Sequence, residues 1–217
     1  MTLNLASYID HTLLRPDATQ EQVQKLCEEA RAYNFAAVCV PPCYVKTAKE
    51  ALGETPVKIA SVIGFPLGYS LTDVKFFETH KALAHGANEI DMVINVAAFK
   101  SGHYAEVQEE IEQLSTLCHF KNAVLKVIVE TALLTPEELV RICKMCAEAN
   151  VDYVKTSTGF SSRGASVEDI RIMRETLPEN IKIKASGGIK TKEFALELIV
   201  AGADRLGTSS GVALMAT

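Results

Sequence analysis

Glu148–Ser157 reads EANVDYVKTS, and the same pattern returns at His85–Ile94, HGANEIDMVI, and at Val200–Ser209, VAGADRLGTS. In each, a Gly or Asn closes a helix, an acidic residue or its amide follows, and an apolar strand begins. Gly and Asn accept the left-handed backbone that ends a helix, and the change from helical to alternating periodicity marks the strand. A helix stop tied to a strand start, repeated along the chain, predicts repeated βα units.

The rest of the chain fits the same pattern. Tyr8–Leu14 is a possible strand, and Arg15-Pro16-Asp17 breaks it. The Thr19–Gln22 box starts a helix carried by Val23, Leu26, Cys27 and Ala30 and stopped at Asn34. Ala36–Val40 is the second strand, ended by Pro41-Pro42, and a helix near Tyr44–Leu52 leads to a third strand, Lys58–Phe65. A helix from about Asp73 to His85 shows apolar spacing at Val74, Phe77 and Ala84. Strand four lies in the HGANEIDMVIN segment. Next come a helix over about Tyr104–Leu117, a strand over Val124–Glu130, and a helix announced by Thr135-Pro136-Glu137-Glu138. Beyond the YVKTSTG strand lie a Ser/Gly-rich loop, a helix capped by Ser166, the IKASGG strand, a helix capped by Thr191, and RLGTSSG.

Eight strands in 217 residues leave about 27 residues per unit, enough for a closed parallel barrel. The expected architecture is therefore α/β, a single (β/α)8 barrel domain over residues 1–217, with no Pro-rich or Gly/Ser-rich linker to divide it. The competing doubly wound sheet commonly carries G-x-G-x-x-G after its first strand, and none follows YIDHTLL.

A formal charge of -5, with lysines and acids interspersed, argues against a nucleic-acid binder. No apolar run approaches a membrane span, and MTLNLASYIDHTLL lacks the charged start and apolar core of a signal peptide, so a cytoplasmic location is expected. Free thiols are expected for the six cysteines. The C-x-x-C of Cys143 and Cys146 falls on a helical face with Leu139, Val140 and Ile142 and reads as core. The five histidines form no H-x-H or H-E-x-x-H group, and no protein-held metal is expected.

The strands carry the chemistry. Asp10 lies on strand one, Asp91 on four, Lys126 on five, Lys155 on six and Lys184 on seven. A barrel places reactive groups at the C-terminal strand ends, where charges this apolar chain cannot bury singly would form a compensating cluster. Lys126 fits best as a partner for the carboxylates. Alone, either Lys155 or Lys184 reads as a strand-end lysine whose stem snorkels to the surface; the pair needs a reason. A lysine is protonated near neutrality, with a pKa of about 10.4, and is a poor nucleophile until something lowers that value. A second ammonium at roughly 6 Å, at an effective dielectric of about 20, adds ~3 kcal/mol to the cost of protonation, on the order of two pKa units. Adjacent strands run about 4.8 Å apart, so Lys184 could do this for Lys155, with partial desolvation adding to it. The expected result is a free amine that adds to an aldehyde as a Schiff base, with Asp91, Lys184 and a water moving the proton.

Phosphate is the second clue. Barrels bind it with the loops after strands seven and eight, here ASGGIKT and GTSSG. Backbone amides of Gly187, Gly188, Gly207 and Gly211 can approach an anion, with Ser209 and Ser210 adding hydroxyls. Thr158 and Gly159 form the polar rim beyond Lys155.

These residues resemble the deoxyribose-phosphate aldolase family, the cofactor-free, Schiff-base-forming class. The resemblance runs in order through IDHTLL, FAAVCV, EIDMVIN, LKVIVET, VDYVKTSTGF, IKASGGI and GTSSG. It implies reversible cleavage of 2-deoxy-D-ribose 5-phosphate to acetaldehyde and D-glyceraldehyde 3-phosphate. It further implies Lys155 as the Schiff-base lysine, Lys184 as its activating neighbour, Asp91 as the proton-relay carboxylate, and Asp10 and Lys126 as lining residues. The phosphate falls to Gly187, Gly188, Ser209 and Ser210, and the assembly is expected to be a homodimer or homotetramer. Cys39 matches a cysteine near the family's pocket, without a catalytic step. Many members of the family end in a tail whose terminal tyrosine aids the proton step. This sequence stops at VALMAT: either the tail is missing from it, with activity below the family norm as the expected consequence, or this branch works without one. Two other readings fit less of the pattern. A phosphate-binding barrel isomerase or epimerase leaves the lysine pair unexplained, and a sugar-phosphate sensor would need only the anion site.

Overall fold

A computed structural model describes residues 3–216; Met1 and Thr2 of the N-terminal stretch and Thr217 of VALMAT lie outside the described residues. Eight parallel strands close in sequence order into a barrel, with β1 pairing with both β2 and β8. They are β1 Ile9–Thr12, β2 Ala37–Val40, β3 Lys58–Ile63, β4 Glu89–Val93, β5 Val124–Ile128, β6 Tyr153–Lys155, β7 Lys182–Ser186 and β8 Arg205–Thr208. Around them lie α1 Gln20–Tyr33, α2 Val45–Leu52, α3 Thr72–His85, α4 Val96–Lys100, α5 Tyr104–Phe120, α6 Pro136–Glu148, α7 Val167–Thr176, α8 Lys192–Val200 and α9 Gly211–Met215. The strands are a residue or more shorter than the apolar runs suggest: Phe65 and Glu130 already belong to loops. The short α4 had no signal of its own.

The repeated stop motif has a structural cause. Gly86, Asn150 and Gly202 all take positive φ, at 112°, 53° and 119°, as the chain leaves α3, α6 and α8. The polar residue that follows then bonds across to the strand before. Asn88 Oδ1 accepts from the Ile59 N–H at 3.0 Å, Asp152 Oδ2 from Leu125 at 2.8 Å, and Asp204 Oδ2 from Ile183 at 2.8 Å. Each side chain satisfies an amide at the bottom of the barrel and sets the register of an odd–even strand pair. The capping boxes at Thr19/Gln22 and Thr135/Glu138 are both formed.

Most of the core lies between strands and helices. Cys143 and Cys146 are buried there on α6; desolvation pushes the Cys143 thiol up to about 12 and Cys146 well above its usual range, so both stay protonated. Inside the barrel the apolar content is small: Cys39, Ala60 and Val62 pack against Leu14 and Phe65.

Helix α3 departs from the expected face. Val74 is 53% and Phe77 61% exposed, and Ala84 is exposed too, while Lys75, Thr79 and Ala82 face inward. Lys75 turns the helix: its Nζ donates to Val93 O at 2.8 Å and to Glu110 Oε1 at 2.6 Å, and its stem lies where a Cβ on Gly64 would be. A buried ion pair has replaced the apolar stripe.

Candidate active site

Strand register brings the predicted charges together. Asp91 stands opposite Lys126, Lys155 opposite Lys184, and Lys184 opposite Arg205. Lys155 and Lys184 donate to the same carboxylate oxygen, Asp91 Oδ2, each at 2.7 Å. Lys126 donates to Asp91 Oδ1 at 2.9 Å and lies 2.6 Å from Glu89 Oε2. Asp10 accepts from Lys184, and from Arg205 Nε at 2.7 Å. Arg205 also reaches Glu89 Oε2 at 2.9 Å.

Two members of this network were missed in sequence. Glu89 and Arg205 sit at strand starts, where a charge reads as solvated. Their signal was the alternation: Glu89 shares a strand face with Asp91, and Arg205 with Gly207. Depth also differs from expectation. Only Lys155 ends its strand, whereas Asp10, Asp91, Lys126 and Lys184 stand within theirs, a layer below the mouth.

Four cations here face three carboxylates: Lys126, Lys155, Lys184 and Arg205 against Asp10, Glu89 and Asp91. One proton is in surplus, and Lys155 is the group that sheds it most readily. Burial pushes the Lys155 amine below its ordinary value; Asp91 pulls the other way, and the Lys184 ammonium reinforces the drop. Burial therefore leads, with Lys184 behind it, the reverse of the order expected from sequence. Burial also acts against Lys184 and Lys126. For Lys184 the carboxylates of Asp10 and Asp91 outweigh it, and for Lys126 those of Asp91, Glu89 and Asp10 do, so both stay charged. Asp91 is buried as well, yet Lys126, Lys155 and Lys184 hold its carboxyl well below the usual range. Cys39 Sγ lies 4.0 Å from Asp91 Oδ2, and burial and that carboxylate keep it a thiol.

Above the network opens a cavity of about 300 Å³. Lys155 lines it; Asp10, Asp91, Lys126 and Lys184 lie beneath. Its rim carries Thr158, Gly159, Gly187, Gly188, Gly207, Ser209 and Ser210, with Arg15 and Lys190 as cations that sequence reasoning did not assign. Gly159, Gly187 and Gly188 all take positive φ, and a Cβ on Gly187 would stand 3.0 Å from the Gly164 Cα. The loops after β6 and β7 are thus packed backbone to backbone, which requires glycine at the contact. Gly207 matters for a different reason. A Cβ there would lie 3.1 Å from Lys184 Cε, so its absence gives that lysine room. Gly211 lies outside the cavity lining, against His11, Ile9 and Phe35. Phe160 also lines the cavity, edge-on to Phe65 at 5.3 Å.

Residues 5–215 match the family model described as DeoC/LacD family aldolase. The chain belongs to that family. Among DeoC/LacD family relatives, the deoxyribose-phosphate aldolase of Thermococcus gammatolerans is 54% identical over 98% of this chain and 96% of its own. That of Brevibacillus brevis is 53% identical, with the same coverage. A solved structure described as the unique tetrameric structure of deoxyribose phosphate aldolase from Aeropyrum pernix superposes with a TM-score of 0.88 at 37% identity. It covers 96% of this chain and 88% of that one. The match to the DeoC/LacD family takes in every strand of the barrel and every residue of the charge network.

Proposed function

We propose that this DeoC/LacD family aldolase cleaves 2-deoxy-D-ribose 5-phosphate reversibly to acetaldehyde and D-glyceraldehyde 3-phosphate through a Schiff base on Lys155. One observation carries the reading: of the lysines in the charge network, the one that lines the cavity is the one whose amine is driven toward neutrality. The free amine adds to the C1 aldehyde, and loss of water leaves an iminium. Asp91 Oδ2, in contact with that nitrogen, stabilises the positive charge. The C2–C3 bond then breaks; its electron pair enters the enamine, and the C3 hydroxyl loses its proton as it becomes the aldehyde of the three-carbon product. Protonation of the enamine carbon and hydrolysis release acetaldehyde and return the amine. Lys184, held charged, adds to burial in lowering the Lys155 amine and with Asp91 serves the proton transfers through water. Asp10 and Lys126 hold these two in place from below. Gly187, Gly188, Gly207, Ser209 and Ser210 bind the phosphate, and Thr158 and Gly159 line the path between.

The reading extends to the whole chain acting as one barrel domain over residues 1–217, in the cytoplasm, as a homodimer or homotetramer. The relative described as tetrameric supports self-association. So does the apolar run at the start of α3, where Leu67, Tyr69, Leu71, Val74 and Phe77 are each more than half exposed. Among the described residues, no helix is long and apolar enough to cross a membrane.

Borohydride trapping with acetaldehyde, followed by peptide mass mapping, tests the chemistry. A reduced ethyl adduct on Lys155 that is absent from Lys155→Met is the expected result; a folded protein that forms no adduct overturns the mechanism.

A further inference from the structure

The ion pairs beneath the mouth cavity close into a ring. Asp91 Oδ2 accepts from Lys184 at 2.7 Å, Lys184 donates to Asp10, and Asp10 Oδ1 accepts from Arg205 Nε at 2.7 Å. Arg205 goes on to Glu89 Oε2 at 2.9 Å, which lies 2.6 Å from Lys126 Nζ, and Lys126 returns to Asp91 Oδ1 at 2.9 Å. A further contact, Lys126 to Asp10 at 3.8 Å, crosses the ring. Three cations and three carboxylates therefore alternate around the barrel interior, and each touches at least two of the opposite sign. Lys155 stands outside the ring. Its single carboxylate oxygen, Asp91 Oδ2, is shared with Lys184.

The ring is neutral without Lys155. Arginine makes that balance permanent, because a guanidinium keeps its proton in a protein and the network can shed one only from a lysine. Lys126 and Lys184 would each give up two ion pairs in doing so, and Lys155 gives up one. We infer that Glu89 and Arg205, neither of which lines the mouth cavity, complete this ring and so make Lys155 the amine that is left free.

Both are then positioning residues, acting on Lys155 through Lys126, Asp10 and the Asp91–Lys184 contact. Their part in turnover rests on the aldolase reading, whereas their effect on the Lys155 amine does not. Facing that amine are Asp91 from β4, Lys184 from β7 and the Cys39 thiol from β2, with Lys126 of β5 and Asp10 of β1 behind them. Arg15 and Lys190 share the cavity but are exposed. Burial lowers the amine in any variant of the ring, so the charge count decides the sign of a change.

Competitive labelling with limiting acetic anhydride across pH, read on the Lys155 peptide by mass spectrometry, titrates the amine without requiring turnover. Arg205→Met removes a cation and leaves Lys155 as the third cation against three carboxylates, so its titration moves to higher pH. Glu89→Gln removes a carboxylate, and the titration moves to lower pH. Each shift is expected to be on the order of one pH unit, the effect of a unit charge a few contacts away at an effective dielectric of about 20. The double variant returns to the wild-type position, and Arg205→Lys, which keeps the charge, stays near it. The acid limb of kcat/KM follows the same shifts. Single variants that move in the same direction or not at all, or an Arg205→Lys that moves as far as Arg205→Met, overturn the inference. Should Arg205→Met fail to fold, Glu89→Gln carries the test: an unmoved or upward titration overturns it. Borohydride trapping with acetaldehyde on the wild type separates the two readings. No adduct on Lys155 removes the aldolase reading and leaves the labelling result standing, while an adduct with unmoved titrations removes only the role of Glu89 and Arg205.

Discussion

Two sets of buried lysines stand in this barrel, and they differ in what their surroundings allow. Lys75, between α3 and α5, is fully buried, and burial lowers its amine against the pull of Glu110; Glu110 is in turn raised by burial. Its partners are one carboxylate and one carbonyl, and it lines none of the mouth cavity. Lys155, inside the barrel, shares its carboxylate oxygen with a second ammonium and opens onto that cavity. Both amines are pushed toward neutrality, but only Lys155 can meet a substrate. A lowered lysine pKa becomes a chemical site when a neighbouring cation and a route for a carbonyl come with it.

The largest effect expected from breaking this contrast is on turnover. Lys155→Met removes the nucleophile and should lower kcat/KM by more than about 10⁴-fold, the scale on which a covalent catalyst fails. Its melting temperature should not fall, because the surplus cation is the one removed and Asp91 keeps Lys126 and Lys184. Lys75→Met should do the opposite. It leaves Glu110 buried without its cation and is expected to cost about 3–5 kcal/mol in urea unfolding, with turnover per folded molecule unchanged. The double variant Lys75→Met/Glu110→Leu should recover to within about 1 kcal/mol of wild type; failure to recover would mean that the pair does more than balance itself.

Lys184→Met sharpens the comparison within the barrel. Without the neighbouring ammonium, the Lys155 pKa rises. Since the free amine is the reactive form, the acid limb of the kcat/KM profile moves to higher pH. A shift of one unit or more is expected, with roughly ten-fold or greater loss at neutral pH that partly recovers on the alkaline side. An unmoved acid limb would leave burial as the whole cause. The smallest effect belongs to the rim. Gly188 takes φ 76° with open space around its missing Cβ, so Gly188→Ala should cost only about 1 kcal/mol of stability. It should also raise KM for the phosphorylated aldehyde while acetaldehyde still traps on Lys155.

Much of this was legible in sequence because it is periodic. The helix stops at Gly86, Asn150 and Gly202 repeat, and the polar residues Asn88, Asp152 and Asp204 repeat with them for a common hydrogen-bonding reason. Lys155 and Lys184 stood out because each interrupts an apolar strand just before small residues. What stayed hidden depends on register. Glu89 and Arg205 meet only across a closed barrel, 116 residues apart in the chain, and the alternation that sets them on the faces of Asp91 and Gly207 does not itself say that a charge at a strand start is buried. The inward face of α3 was misread for a related reason. Its Val74 and Phe77 stripe is turned outward by an ion pair between Lys75 and a glutamate 35 residues away.

Asp10 draws its partners from the far end of the chain: Lys184 lies 174 residues on and Arg205 195. Contacts of that span are entropically costly to form and slow to nucleate. Until β7 and β8 close against β1, the interior holds Asp10, Glu89 and Asp91 against Lys126 and Lys155 alone, an excess of negative charge that resists desolvation. Premature collapse of the earlier strands is therefore disfavoured, and the last pairing both seals the barrel and balances its charge. Lys155 acquires the Lys184 ammonium beside it only at that step, so a partly folded chain carries an ordinary protonated lysine and no reactive amine.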